Sequence, residues 1–327
     1  MFYNRELAKR FISDYKLPIP LIKEEYFFYH LNLYEKDYGA LTKYKNLLNL
    51  IDEKYEGDCN KFLEDYYNLR DNIITSVLDN EAFQKFNTMD MNAYTIKERP
   101  NITSNNIYNQ ENVGKFFISV DLKKANFQTL KKIDKNIVFG ADTYEDFIGK
   151  FSDLNYVKES KYTREVIFGK CNPKRHITVE KYFITQIYNK IIERNPNLED
   201  KAVCLSNDEI IFKVEFLFFN DKLTCFFLRK VIEQIAKEFG FEVRVEFFHL
   251  RAYNLVFKES RSARKTVYVK DYFCTDGNFK LVAAPLQYHS IIYKLYKGLS
   301  LEEIDYHFDY EGMDAKFYED FDIEEIK

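Results

Sequence analysis

Two apolar segments of this chain end in acidic residues, and the chemistry open to those residues depends on whether they meet. Residues 116–120, FFISV, form a run that is typical of a strand covered on both faces, and Asp121 follows directly. Residues 202–214 read as two apolar half-strands around Asp208 and Glu209, the pattern of a β-hairpin with acids at its turn. An acid at the tip of a buried strand is held rigidly, as a metal ligand must be.

A basic stretch, residues 158–175, lies between the two acidic positions in the sequence. A polyphosphate substrate needs such cations. The basic residues of this stretch that we expect to contact a nucleotide are Arg164, Lys170, Lys174 and Arg175. Two divalent ions about 3.5–4 Å apart need carboxylates from two neighbouring strands, and Mg²⁺ prefers oxygen ligands. The sequence therefore predicts a two-metal nucleotidyl transfer site, with Mg²⁺ or Mn²⁺ held by Asp121 and Asp208. The alternative is that Asp121 caps a helix and Asp208 lies in an ordinary charged turn.

Three short motifs resemble the palm and fingers motifs of template-directed polymerases. Residues 205–214, LSNDEIIFKV, are similar to the third palm motif of family A DNA polymerases, roughly VHDEIIFEV, with Asn207 in place of the His. Asp121 followed by LKKANFQ resembles the first palm motif, which is DYSQIELR in family A and DLKDAFF in reverse transcriptases. Residues 164–169, with Arg, Phe and Gly at the matching positions, resemble the fingers motif KxxxFG. The short separation of Asp121 from Asp208 is nearer to that of a reverse transcriptase.

The resemblance implies a compact template-directed nucleic-acid polymerase, with a DNA polymerase favoured, that acts on a primer–template and nucleoside triphosphates. It implies that Asp121 and Asp208 are metal ligands and that Glu209 is an accessory acid near the primer end. Asn126 stands where family A has the Glu that senses the sugar 2′ position, and Phe127 is its neighbour. The alternative function is a non-catalytic nucleic-acid- or protein-binding factor on a similar scaffold.

A second basic segment joins two predicted strands nearer the C-terminus. It contains Arg261, Arg264 and Lys265, which could follow a phosphate backbone while Tyr268 and Tyr272 stack on bases. The alternative is a solvated loop. The net charge of −4 excludes a bulk polycation, so any contact with nucleic acid requires local patches of this kind.

The spacing of apolar residues predicts an α+β fold in three regions. Residues 1–100 are expected to form a helical N-terminal region, and residues 101–240 an antiparallel sheet with helices on one face. Residues 241–327 are expected to form a mixed C-terminal α+β region. The resemblance to polymerases implies that the second region is a palm-like catalytic core with reduced fingers and that the third is thumb-like. Its acidic tail, from Asp305 onwards, is expected to be solvated.

Composition limits the class of protein and its compartment. Of the 327 residues, 46% are hydrophobic, which is enough for a sizeable core. No segment reaches about 18 uncharged apolar residues, so no membrane span is expected. The five cysteines form no CxxC pair and are odd in number, which disfavours a zinc site and a disulfide framework and favours a reducing, cytoplasmic setting.

Overall fold

The computed structural model describes residues 2–98, 100, 102, 107–215, 222–273 and 279–327. It confirms the predicted α+β fold, since a helical N-terminal region precedes an antiparallel sheet with helices on one face. The expected boundary near residue 100 falls beside residues 99, 101 and 103–106, which lie outside the described residues. Within the described ranges, no helix combines the length and the apolar character that crossing a bilayer requires.

The N-terminal region consists of packed helices. They are α1 (Arg5–Tyr15), α2 (Glu24–Leu33), α3 (Glu35–Tyr38), α4 (Ala40–Tyr55), α5 (Cys59–Leu78) and α6 (Glu81–Thr88). The side chains of Asn4, Asp58 and Asn80 accept hydrogen bonds from backbone N–H groups at the starts of α1, α5 and α6. These caps fix where three of the helices begin, and the apolar faces of the helices then meet in the main core.

The main sheet is antiparallel, and its first strand in the sequence lies at its centre. The strands are β1 (Phe116–Leu122), β2 (Ala202–Leu205), β3 (Glu209–Val214), β4 (Val243–Phe257), β5 (Ala263–Tyr272), β6 (Phe279–Val282), β7 (His307–Tyr310), β8 (Met313–Lys316) and β9 (Phe321–Ile326). The order in the main sheet is β2-β3-β1-β4-β5-β6, β9 pairs with β4, and β7 and β8 form a separate hairpin. Ile118 and Val120 pack in the main core, and Phe117 packs in a second apolar cluster with Ile211 and Phe248. Both faces of β1 are therefore covered, which explains its apolar sequence.

The main sheet has two different faces. Ile118, Val120 and Leu122 of β1 belong to the main core, whereas Ser119 and Asp121 alternate with them and point to the opposite face. We call these the core face and the acid face. The helices between β1 and β4 that contribute to the main core are α7 (Ala125–Ile133), α8 (Tyr144–Gly149), α9 (Asn155–Glu159), α10 (Lys161–Gly169), α11 (Pro173–Arg194) and α12 (Lys222–Glu238).

Asp14 of α1 is fully buried and joins several helices. Its carboxylate lies 3.1 Å from the guanidinium of Arg10, which is also buried. It accepts hydrogen bonds from Tyr66 at 2.7 Å, from Tyr156 at 2.6 Å and from Ser160 at 2.8 Å. These donors lie on α5, on α9 and at the N-cap of α10, so this cluster ties the N-terminal helices to helices that follow β1.

The C-terminal region packs back onto the N-terminal helices through α13 (His289–Tyr296). Lys294 of α13 donates to Asp305 at 2.8 Å, and Tyr29 of α2 donates to the same carboxylate at 2.9 Å. The prediction of a solvated acidic tail is wrong for β9, which pairs with β4 and buries Phe321 completely. The acidic side chains of β9 remain exposed, so their composition concealed a strand whose partner is distant in the sequence.

Candidate functional site

Asp121 lies near the end of β1, beside the turn of the β2–β3 hairpin. In the antiparallel register, Asp121 is opposite Glu209 of β3 and opposite Arg244 of β4. Directly opposed residues of antiparallel strands point to the same face of a sheet. All three side chains therefore lie on the acid face, where two acids that are far apart in the sequence come together.

The tip of the β2–β3 hairpin is held by the side chain of Ser206. Its hydroxyl accepts hydrogen bonds from the backbone N–H groups of Asp208 at 3.3 Å and Glu209 at 2.9 Å, and donates to the Asp208 carboxylate at 3.2 Å. The backbone N–H of Leu122 donates to the Asp208 carbonyl at 2.9 Å. This bond fastens the tip to the end of β1 and places Asp208 next to Asp121.

Burial and neighbouring charges make Asp121 harder to ionise. Burial is the largest cause that raises the pKa of Asp121, to about 6, and the charges of Glu209, Asp208 and Glu246 raise it further. Arg244 opposes this effect, because its Nη2 atom lies 2.9 Å from the Asp121 Oδ2 atom. The Arg244 Nε atom lies 3.2 Å from Glu246, so one guanidinium contacts two carboxylates of the acid face.

Glu209 is oriented by two side chains of the acid face. The Ser119 hydroxyl donates to its Oε1 atom at 2.6 Å, and the Lys270 Nζ atom lies 3.9 Å from the same oxygen. Lys270 is only 5% exposed, and its Nζ atom lies 4.5 Å from the centre of the Phe248 ring. Burial lowers the pKa of Lys270, and the charge of Glu209 opposes that shift. The fixed Glu209 thus lies between a hydroxyl and a buried ammonium group.

Replacing Arg244 with alanine is expected to raise the pKa of Asp121 further, by about one pH unit, because the variant loses the cation that favours the ionised carboxylate. Carbon-13 NMR titration of the Asp121 carboxyl measures this change. The Arg244→Lys variant keeps the positive charge and is the matched control, with a pKa expected to stay near 6. An unchanged pKa in the alanine variant would show that Arg244 does not pair with Asp121 in solution.

The acid face carries carboxylate oxygens of the kind that Mg²⁺ binds, but they do not form a complete coordination site. Among the residues that the structure describes, no three His, Cys, Asp or Glu side chains are arranged to hold a metal ion. One oxygen of Asp121 contacts Arg244, and one oxygen of Glu209 accepts from Ser119. Asp121, Asp208 and Glu209 supply the right chemical type of ligand, and cation binding would require Asp121 to exchange its Arg244 partner.

No protein-family model, curated protein or solved structure matches this chain. The likeness to palm polymerases rests on the three short motifs quoted above. Two of them, which contain Asp121 and Asp208, adjoin in the structure. The third, residues 164–169, forms the C-terminal part of α10.

Arg164 of the predicted nucleotide-binding set shares an aromatic neighbour with Lys124, a residue that closely follows Asp121 in the sequence. Its guanidinium lies 5.7 Å from the centre of the Tyr144 ring, and the Lys124 Nζ atom lies 5.6 Å from the same ring. Lys124 follows Asp121 by three residues and adopts a left-handed backbone conformation with φ of 48°. Few residues other than glycine adopt this conformation, which connects the end of β1 to the start of α7.

The other predicted nucleotide-binding residues have varied surroundings. Phe127 is 2% exposed and packs against Tyr144, Phe147 and Phe168, so it is a core residue. Asn126 is half-buried in the first turn of α7.

Residues at the junction of α10 and α11 also differ in their exposure. Arg175 donates to the Met89 carbonyl, and its guanidinium lies 5.5 Å from the centre of the Phe86 ring, so it packs against α6 and the residue after it. Lys170 and Lys174 are exposed at the end of α10 and the start of α11.

The second basic segment lies at the other end of β4. Arg261, Arg264 and Lys265 are exposed around the β4–β5 turn. This turn follows Phe257, roughly 40 Å along the strand from Arg244. The Arg264 guanidinium lies 3.8 Å from the centre of the Phe257 ring, and Arg261 lies 3.6 Å from Glu324 of β9. The structure therefore separates these cations from the acid site.

Sequence reasoning missed several residues that surround the acids: Ser119, Glu180, Arg244, Glu246 and Lys270. The alternating pattern of residues 243–249 carried a usable signal, because it puts Arg244 and Glu246 on one face of β4. The register of β4 with β1 determines which face of β4 lies beside Asp121. Neither segment alone determines that register.

Proposed function

We propose that this protein is a nucleotidyltransferase, and more specifically a compact palm-type nucleic-acid polymerase. The strongest support is the hydrogen bond from the Leu122 N–H to the Asp208 carbonyl, 2.9 Å long, which joins the two segments that resemble palm motifs. The register that sets Asp121 opposite Glu209 adds to this support. Acids from adjacent strands on the face of a sheet opposite its helices can supply ligands for a two-metal site.

In this proposal Asp121 and Asp208 hold two Mg²⁺ or Mn²⁺ ions, and Glu209 is an accessory acid near the primer end. Bound divalent cations would neutralise phosphate charge and activate a 3′-hydroxyl for in-line attack. The residues of the chain provide positioning, since Ser119 and Lys270 orient Glu209 while Ser206 fixes the tip that carries Asp208. Such positioning supplies much of the catalysis in phosphoryl transfer.

The nucleotide in this proposal approaches from the side of α10. Arg164 and Lys124, which share the Tyr144 ring, would be the cations that contact its triphosphate. Lys170, Lys174 and Arg175 remain predicted contacts of the nucleotide, and Arg261, Arg264 and Lys265 remain predicted contacts of the primer–template beyond the active site.

Primer extension tests the proposed function. The full chain is incubated with a labelled primer on a DNA or RNA template, with Mg²⁺ or Mn²⁺ and with either dNTPs or NTPs. Extension by the wild-type protein is expected, together with its loss in Asp208→Asn, which keeps the size of the side chain but removes its charge. The exposed Glu193→Gln substitution on α11 is the matched control and should retain activity. Equal extension by wild type and Asp208→Asn would overturn the assignment, as would no extension under any of these conditions.

One observation favours the rival function, a non-catalytic nucleic-acid- or protein-binding factor. Asp121 is already paired with Arg244, and the described residues contain no group of three metal-ligating side chains. Thermal unfolding with Mn²⁺ and with oligonucleotide separates the two functions. A two-metal site predicts a higher melting temperature with Mn²⁺ alone, whereas a nucleic-acid-binding factor predicts a shift with oligonucleotide alone that weakens as salt rises.

A further inference from the structure

The solvent side of α12 carries a stripe of large apolar side chains. They are Leu223, Phe226, Phe227 and Val231, which are 41–64% exposed. The other side of the helix already packs in the main core. A helix that packs along one side normally presents polar residues on the other, and an exposed apolar cluster is typical of a surface that binds another molecule. We call this cluster the α12 stripe.

The α12 stripe lies in a positively charged segment. Residues 222–232 contain Lys222, Arg229 and Lys230 and no acidic residue. Lys222 and Lys230 are exposed, and Arg229 is half-buried. The first acid of the helix is Glu233, which lies 3.0 Å from the Lys230 Nζ atom. A molecule that covers the stripe must therefore offer apolar contacts together with negative charge.

The β7–β8 hairpin and the residues that follow it have this complementary composition. Residues 309–320 contain five acidic residues and one lysine, and we call this segment the acidic hairpin. Tyr310 and Met313 pair across the turn and are 58% and 64% exposed, and Tyr318 is 95% exposed. Apolar side chains are thus exposed among acids here, as they are exposed among cations on α12.

Part of the negative charge of the acidic hairpin is paired within the chain. Asp314 lies 2.8 Å from Lys23, and Asp320 lies 2.8 Å from Lys258. Glu311, by contrast, is exposed at the tip of the turn, between the exposed side chains of Tyr310 and Met313. The charge of Glu311 is therefore accessible to a cation of another molecule.

The two surfaces do not cover each other within one molecule. α12 packs on the core face of the sheet, where the Arg229 guanidinium lies 5.6 Å from the centre of the Phe247 ring of β4. The acidic hairpin instead adjoins the N-terminal region, because the Asp309 N–H donates to the Pro20 carbonyl at 2.9 Å. Since both surfaces stay exposed in the chain that carries them, contact between them requires two molecules.

We propose that the α12 stripe of one copy binds the acidic hairpin of a second copy. Two α12 stripes facing each other would bring like charges together, and an anionic lipid surface would attract the stripe but repel the hairpin. Because the two surfaces differ, the contact is head-to-tail, and continued association gives a ring or a filament. Neither surface includes the acid face, so the contact does not depend on the function proposed above.

Sedimentation velocity of the full chain over a range of micromolar concentrations tests the contact. The wild-type protein is expected to sediment faster as its concentration rises, and less so at high salt, which screens the charges. The double variant Phe226→Ser with Phe227→Ser should stay monomeric. Phe2→Ser is the matched control, because Phe2 is 57% exposed in the N-terminal region, and it should associate like wild type. A monomeric wild-type protein, or a double variant that still associates, would overturn the proposal.

An exchange of charges shows whether these two surfaces are the ones that meet. Lys230→Glu and Glu311→Lys each put like charges in contact, and each alone is expected to weaken self-association at least about tenfold. A mixture of the two variants should regain association, because each stripe then finds a hairpin of opposite charge. Lys61→Glu changes an exposed cation of α5 and should have no effect. A mixture that associates no better than its separate components would contradict the pairing.

Vesicle flotation separates a second copy from a lipid surface as the partner of the α12 stripe. Vesicles of phosphatidylcholine and phosphatidylglycerol supply an anionic surface. The proposal predicts that the wild-type protein does not float with them. Flotation of a monomeric wild-type protein that is lost in the double variant Phe226→Ser with Phe227→Ser would overturn the proposal and assign the stripe to a lipid surface.

Discussion

Replacing Asp121 with asparagine is expected to abolish nucleotidyl transfer and, at neutral pH, to make the folded protein more stable. Loss of a metal ligand removes several kcal/mol of transition-state stabilisation, which corresponds to a rate loss of at least about 10³-fold. The gain in stability follows from the same carboxylate, which the fold holds among the charges of Asp208, Glu209 and Glu246. These like charges lie close together around Asp121, so removing one of them is expected to stabilise the folded protein.

The pH dependence fixes the sign of this stability effect. Folding raises the pKa of Asp121 from its ordinary value of 3.8 to about 6. Its contribution to stability is therefore fully present below pH 3.8 and is lost as the pH rises through about 6. Above that pH, ionisation of Asp121 costs up to about 3 kcal/mol. Because asparagine also loses the pair with Arg244, we expect a net gain in stability of about 1 to 2 kcal/mol at pH 7 and little gain at pH 4.

Urea unfolding of wild type and Asp121→Asn at both pH values measures this change. Asp142→Asn is a matched control, because Asp142 is an exposed acid whose pKa is lowered by Lys135. The control should retain activity and should show no gain in stability at pH 7. A less stable Asp121→Asn variant at pH 7 would mean that the acid face does not strain the fold. Retained activity in that variant would remove Asp121 from the proposed mechanism.

Replacing Asp14 with alanine is expected to cost about 3–5 kcal/mol of folding free energy, the usual cost of leaving a buried charge without its partner. The variant leaves the Arg10 guanidinium, which is 7% exposed, without its carboxylate. It also takes away the acceptor of hydroxyl groups on Tyr66, Tyr156 and Ser160. This cluster joins α1 to α5, α9 and α10, so its loss affects several helix contacts together.

Urea unfolding gives the size of this effect, and a second variant guards against failure of Asp14→Ala to fold. The double variant Arg10→Met with Asp14→Ala removes both charges, and it should be more stable than Asp14→Ala alone because no unpaired charge stays buried. A loss of less than about 1 kcal/mol in Asp14→Ala would contradict the structural role assigned to this cluster. The same would follow from a double variant no more stable than Asp14→Ala.

Local sequence patterns predicted the elements of this fold better than their pairing. The period of the apolar residues alone predicts helices in residues 1–95 and a strand just before Asp121. The structure has α1–α6 and β1 at these positions. The hairpin around Asp208 was equally readable, since its turn residues are flanked by two apolar strands. The adjacency of Asp121 and Asp208 is a hypothesis from two acids at the ends of apolar strands, to which the motif resemblance adds support, and the register of β1 with β3 gives it a geometric basis.

The remainder of the site depends on contacts between distant parts of the chain. Arg244 and Lys270 belong to strands whose alternation shows that they have two faces, but not which face meets Asp121. Glu180 looks like any acid on an amphipathic helix, because only the packing of α11 against the sheet distinguishes it from a solvated side chain. Strand β9 was missed for the same reason, since its charged residues suggest a solvated tail unless its pairing with β4 is known.

The central claim is that Asp121 and Asp208 together hold divalent cations where the end of β1 adjoins the hairpin turn. Anomalous diffraction from crystals of the full chain grown with Mn²⁺ tests it most directly. The claim predicts one or two anomalous peaks in contact with both carboxylates, about 3.5–4 Å apart if there are two, with Asp121 released from Arg244. Crystals containing Mn²⁺ in which Asp121 still pairs with Arg244 and no peak touches either carboxylate would contradict it.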